Sequence, residues 1–274
     1  GASCPEGVLV LTAAIDVQDN RLEAEIDGWG VDEESWSIEK RVFPGSPSNP
    51  TVWKDLTDWL QRKRLHVSGL ALRVECVVVD TGGHHAKEAY WFVRTYRGRC
   101  YALKGSNQPG APLVPPRPTK PRGASVHLYH VGTVAAKDTL FARLKLTEPG
   151  PGYLHFPDRP EYDQECFEQL ASEEKRNKYD RGVLTGYYYK KVRARNEELD
   201  LKVYNLVAIV LLNPNWEKLA EKMQQPAQVE IPTEDQPTRS GWVQRQPAPA
   251  AVPASAAPAP LGNSARKPGW MSRR

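Results

Sequence analysis

Two short apolar runs each end in a carboxylate, and they limit what this chain can fold into. Val74 to Asp80 reads "VECVVVD", and Leu11 to Asp16 reads "LTAAID". Runs of this length and composition predict buried strands covered on both faces. Two such strands are most simply neighbours. If they are parallel, both carboxylates emerge at one carboxyl edge, where open α/β sheets bind ligands. Gly82 and Gly83 follow Asp80 after one residue. Aspartate is also a common turn former, so the plainer reading is that the strand simply stops there. The choice depends on the partners of Asp80.

The surrounding pattern predicts a mixed α/β domain. "RLEAEIDGWG" alternates apolar and polar residues and reads as a half-exposed antiparallel strand. Its row of Glu23, Glu25 and Asp27 is then a solvent face, or the source of a fourth carboxylate. "ESWSIEKRVF" completes a three-stranded meander. Val52, Leu56, Trp59 and Leu60 recur at helical spacing after Asn49 and Pro50, a cap followed by a proline at the first helical position. "HHAKEAYWFVRTYR" reads as a second helix and "CYALKG" as a further strand. The prolines of residues 105–124 forbid helix and central strand, leaving an extended loop that carries Arg117, Lys120 and Arg122. "VHLYHVGT" reads as a strand, "VAAKDTLFARLKL" and "EYDQECFEQLAS" as helices, and "LTGYYYKKVRA" as a strand or hairpin arm. "NEELDLKVYNLVAIVLLN" is the strongest helix, apolar nearly all round and so central.

That helix carries the third candidate acid. Asp200 lines up with Val203, Tyr204, Val207 and Leu211. An acid on a packed face is costly unless paired or metal-bound; alternatively it favours the helix amino end. Beside Asp16 and Asp80, the metal reading is preferred. Close carboxylates remain ionised together only around a cation. Three oxygen donors suit magnesium or manganese, with room for two ions that activate water and steady the leaving oxygen of a phosphodiester. No GxxxxGK[ST] occurs, so no ATP-binding P-loop is present and a nucleic-acid backbone is the expected target.

Charge agrees with local contact. Lys and Arg number 37 against 33 Asp and Glu, a net +4, so a nucleic acid must be met by patches. Lys190, Lys191, Arg193 and Arg195 precede the Asp200 helix, and the last three alternate as if to share one phosphate-facing side of an extended segment. Lys104 ends its strand with similar standing. His84 is a candidate for the scissile phosphate, although His84 and His85 more simply open the next helix. Gly82 and Gly83 allow a phosphate to approach or make a turn. Tyr187, Tyr188 and Tyr189 suit base stacking and strand packing equally. The four cysteines lack CxxC spacing and read as reduced thiols of a cytosolic protein. No apolar run approaches the roughly 20 residues of a membrane span. Residues 1–4 read as a leader left by cloning and 5–222 as the domain. Residues 223–274, rich in Pro and Ala, read as a disordered tail.

A meander opening on an acidic strand, a helix, a second acidic strand and an acidic late helix is the ribonuclease H-like order. "AIDVQDNRLEAEIDGWG", "VVVDTGGHH", "YALKGS", "YLHFP" and "RARNEELDLKVYNLVA" resemble the nuclease domain of tailed-phage terminase large subunits of the lambda packaging type. "RNEELD" is close to that family's "RNEALD". The resemblance places the family's metal-binding acids on Asp16, Asp80 and Asp200. It implies a magnesium- or manganese-dependent endonuclease that cuts concatemeric double-stranded DNA, leaving 3′-hydroxyl and 5′-phosphate ends. It further implies portal, procapsid and small-subunit partners and action in the infected host's cytoplasm. It implies an ATPase domain too, which this chain lacks. Other readings are a Holliday-junction resolvase, another nuclease of this fold, or a non-catalytic DNA- or portal-binding module.

Overall fold

The computed structural model describes residues 3–108 and 110–224. Strand β1 (Val10–Val17) sits at the centre of a seven-stranded sheet. It runs antiparallel to β2 (Arg21–Trp29), which pairs antiparallel with β3 (Ser35–Pro44). Helix α1 (Pro50–Leu60) follows, with Asn49 capping it through a bond from the Thr51 N–H at 3.0 Å. A two-residue pair, β4 (Arg64–Leu65) and β5 (Ala71–Leu72), leads into β6 (Val74–Asp80). Helix α2 (Ala86–Thr95), β7 (Arg99–Ser106), β8 (Leu128–Gly132) and α3 (Thr133–Arg143) come next. Then come β9 (Leu154–His155) and α4 (Gln164–Leu170). A separate ribbon of β10 (Glu173–Asp180) and β11 (Val183–Lys191) precedes α5 (Glu197–Leu212) and α6 (Trp216–Gln224).

The sheet order is β8-β7-β6-β1-β2-β3-β9, with β1, β6, β7 and β8 mutually parallel. The apolar runs of β1 and β6 are therefore neighbours, as their composition predicts, and helices cover both faces. Successive side chains of a strand point to opposite faces. Leu11, Ala13 and Ile15, with Val77 and Val79, pack under α1 and α2 against Trp53, Leu56, Trp59 and Phe92. Val10 and Ala14, with Cys76 and Val78, pack under α5 against Leu199, Val203, Leu206 and Val207. Burying a side chain of this size contributes about 1.5–3 kcal/mol each, so α5 is held chiefly by its apolar face. A mixed sheet flanked by helices, with an acidic helix laid across the acidic strands, is the ribonuclease H-like arrangement.

One expectation changes. The row of Glu23, Glu25 and Asp27 is buried, not solvated. Register places these residues opposite Asp16, Ala14 and Thr12, on the face that α5 covers. Cys4 is buried in the core, and its N–H donates to the Leu65 carbonyl at 2.8 Å. Helix α6 ends at Gln224. The tail beyond it lies outside the described residues.

Candidate active site

The site follows from register. Ile15 pairs with Val79 across the parallel β1–β6 ladder, so Asp16 and Asp80 come next on adjacent strands. Both sit in the alternation that faces α5. Asp200 lies in the first turn of α5 and approaches from above. Asp16 is buried, while Asp80 and Asp200 are half-buried. Burial raises the Asp16 carboxyl to about 8, reinforced by the charges of Asp80 and Asp200 and opposed by the bond from Gln18. Burial also raises Asp200 to about 7, against the attraction of Lys137. Asp80 is raised by burial too, opposed by the Gly82 N–H and the Tyr204 hydroxyl. The three acids thus form one electrostatic unit drawn from three separate elements. As they stand, no three Asp, Glu, His or Cys side chains among the described residues are gathered tightly enough to enclose an ion.

Each acid has a holder. Gln18 Nε2 donates to Asp16 Oδ2 at 2.6 Å, and Asn196 Nδ2 donates to Asp200 Oδ2 at 2.9 Å. The Gly82 N–H donates to Asp80 Oδ1 at 2.9 Å. That last bond is the turn-forming role of aspartate. Asp80 therefore closes the turn and also stands beside Asp16 and Asp200.

The basic residues divide. Lys104 is exposed at the end of β7, near enough to lower Asp80. Lys191 is exposed at the end of β11, donates to Asn196 Oδ1 at 2.6 Å and lowers Asp200. Arg193 turns away and pairs with Glu168 of α4 at 2.6 Å. Arg195 pairs with Glu23 at 3.1 Å and Glu197 at 3.2 Å. The alternating Lys191, Arg193 and Arg195 therefore do not present one face, because β11 ends at Lys191 and each side chain finds a different partner. His84 is exposed and sits 3.1 Å from Asp19, while His85 occupies the residue before α2.

Several residues beside the acids carry no sequence signal of their own. Lys137 of α3 is buried and pairs with Glu173 at 2.7 Å. Glu173 adds its charge to the Asp200 environment. Neighbouring Asp138 accepts from Lys175 and Tyr189 at 2.8 Å each and also from Tyr187. The dipeptide Lys137–Asp138 thereby ties the root of the β10–β11 ribbon to the acid edge. An isolated two-stranded hairpin is only marginally stable, so such ties matter to its position. Two of the three tyrosines are accounted for by this anchorage. The dipeptide lies in a helix whose sequence shows only amphipathic spacing, and the pairing partners are 36 and 37 residues distant.

The profile of the family described as "Terminase large subunit gpA, endonuclease domain" matches residues 1–223. The chain belongs to that family. It is 32% identical over 222 residues to a terminase large subunit of Escherichia phage lambda, and 32% identical over 225 residues to that of Enterobacteria phage P21. In each case the match covers 79% of this chain and 34% of the relative, so the chain spans about a third of those proteins. No solved structure matches it. No helix among the described residues is long and apolar enough to cross a membrane.

The raised carboxyls set a pH dependence. A group whose folded pKa is raised favours the protonated folded form. Its stabilising effect is complete below the unfolded value, near 4, and is lost as pH rises through the folded value. For Asp16 and Asp200 the window runs from about 4 to about 8. The protein is therefore expected to lose thermal stability across that window. Asp16→Asn removes its share, so melting curves of the variant in chelator should fall less steeply with pH. Equal slopes would mean that Asp16 reaches solvent.

Proposed function

We propose that this chain is a metal-dependent endonuclease domain that cuts double-stranded DNA during phage genome packaging. Asp16, Asp80 and Asp200 would hold the metal, one or two magnesium or manganese ions. The observation that carries this reading is the electrostatic unit itself: three carboxylates from separate elements, raised by burial, with Asp16 raised further by the charges of the other two. The donor set is all oxygen, which fits a hard cation. Bound there, such ions supply an activated water and neutralise charge at a phosphodiester. Gln18, Asn196 and the Gly82 N–H would fix the directions of the three carboxylates. Tyr204, buried beside the three acids, has its hydroxyl pushed well above its ordinary range by burial and by their charges and stays protonated. Family membership supports a packaging nuclease, and the portal, procapsid, small subunit and concatemeric substrate belong to the same proposal. So do the domain limits read from sequence and the host cytoplasm as the place of action.

The direct test is supercoiled plasmid incubated with the full chain and manganese, magnesium or EDTA. Nicked and linear products are expected with either ion and none with EDTA. Equal DNA binding under all three conditions with no cutting would favour a silent binding module.

Lys104 and Lys191 are the phosphate contacts in this proposal, since both are exposed and flank the acids. Each phosphate neutralised contributes about −0.9 to the slope of log K against log salt. Lys104→Ala with Lys191→Ala should flatten that slope by about one to two. Arg193→Ala should leave the slope unchanged, because Glu168 already pairs with Arg193. The reverse pattern in a salt titration would transfer the contact to the arginine.

A further inference from the structure

A second charged feature lies at the other end of the sheet. A cleft of about 540 Å3 opens at the amino ends of β1, β6 and β7, beside the carboxyl end of α5 and along α6. By strand rise it is roughly 20 Å from the acid edge. Lys63, Arg73, Arg99, Lys218 and Lys222 line it, and all five are exposed. Among the described residues none of the five is in an ion pair. Glu75 is the single carboxylate in the lining. The cleft is also apolar beneath: Leu72, Leu212, Leu219 and Met223 line it and are half-buried.

We propose that this cleft docks an acidic amphipathic segment of a separate partner protein. Five cations around one carboxylate, with no ion pair among the described residues, repel each other and attract an anionic partner. The leucines and Met223 choose between anions. A duplex presents phosphate and sugar on its outside and has nothing to lay on an apolar floor inside a cleft. An amphipathic helix or strand presents both, with apolar anchors downward and carboxylates at the rim. Methionine and leucine adapt readily to such anchors. A partner seated here leaves the acid edge open, so docking and DNA contact are compatible.

The test uses the full chain and a fluorescein-labelled helical peptide with leucine on one face and glutamate flanking it. Two counterparts replace glutamate by glutamine or leucine by serine, and a short duplex DNA is the fourth probe. In anisotropy titrations the Leu/Glu peptide should bind most tightly. Lys218→Glu with Lys222→Glu should weaken it by at least about tenfold, the scale of losing a rim charge contact or two. Arg73→Glu with Arg99→Glu, placed on the strand ends instead of α6, should do the same, so that loss of α6 alone cannot mimic the result. Both variants should keep their duplex affinity and their plasmid cutting. Unchanged peptide binding in either charge-reversed variant would overturn the proposal, as would equal binding of the serine counterpart. A tenfold loss of duplex affinity in either would make the cleft a nucleic-acid surface instead.

Discussion

Replacing Asp80 by asparagine is expected to abolish plasmid cutting while leaving the protein folded. The carboxylate closes a turn through one oxygen, and the asparagine carbonyl can still accept the Gly82 N–H at that position. What the substitution removes is charge. Asp80 raises both Asp16 and Asp200 by repulsion, so its loss relieves both neighbours in the metal-free protein, and Asp80→Asn should melt slightly higher in chelator. Added manganese should reverse the order. An ion that binds only the assembled site stabilises the wild type in proportion to the logarithm of its concentration. The variant should lose most of that gain. Asp16→Asn and Asp200→Asn should behave alike, and pairs of substitutions should cost no more activity than one, because the three act as a unit. The measurements are a nicking assay and melting curves with and without manganese. Cutting at the wild-type rate would leave Asp80 a turn residue, and outright unfolding would show that its charge is structural.

How much of the fold is legible in the sequence depends on which face each residue serves. β1 and β6 were legible because a buried strand needs apolar residues on both faces, so a terminal aspartate is conspicuous. α5 was legible for the same reason. Alternation normally marks a half-exposed strand, whereas in β2 Glu25 and Asp27 meet Lys202 of α5, and Glu23 is joined to Glu197 of α5 through Arg21 and Arg195. A polar face can be buried when its partners are polar, and those partners lie some 170 residues away in sequence. β10 carries no strand signal, because "EEKRNKYD" has no apolar period; it stands outside the sheet, and apart from Glu173 its residues are exposed. β9 consists of two residues and owes its existence to β3. Lys137 illustrates the general limit. Its type and spacing are ordinary, and only the fold brings it against Glu173 and within reach of Asp200.

Replacing Lys202 by methionine should cost more stability than any surface change, about 3–5 kcal/mol, because it strands buried carboxylates. Lys202 Nζ lies 2.7 Å from Asp27 Oδ1, 2.9 Å from Glu25 Oε1 and 2.7 Å from Ser37 Oγ. Burial opposes its charge, yet Asp27 and Glu25 more than offset this and lift its ammonium above the ordinary range. Glu25 is fully buried, and its other oxygen has no protein partner among the described residues. Tyr162 reaches Glu25 Oε1 at 3.2 Å but brings no charge. Methionine fills the volume but leaves Asp27 and Glu25 without the cation that both of them contact. Protonation sets the pH signature. Asp27 is already raised to about 7 by burial with Lys202 opposing, and without Lys202 it moves higher. In acid, where the Asp27 carboxyl is neutral in the folded and the unfolded chain, the deficit of the variant is smallest. As pH rises above about 4 the unfolded chain ionises first, and the deficit grows. Urea titrations should therefore show a small deficit in acid and a large one near neutrality. Adding Glu25→Gln and Asp27→Asn to Lys202→Met should recover much of the neutral-pH loss, since a neutral set needs no counter-charge. A deficit that is independent of pH, or that the added substitutions deepen, would mean that Lys202 acts through packing of α5 and not through its charge.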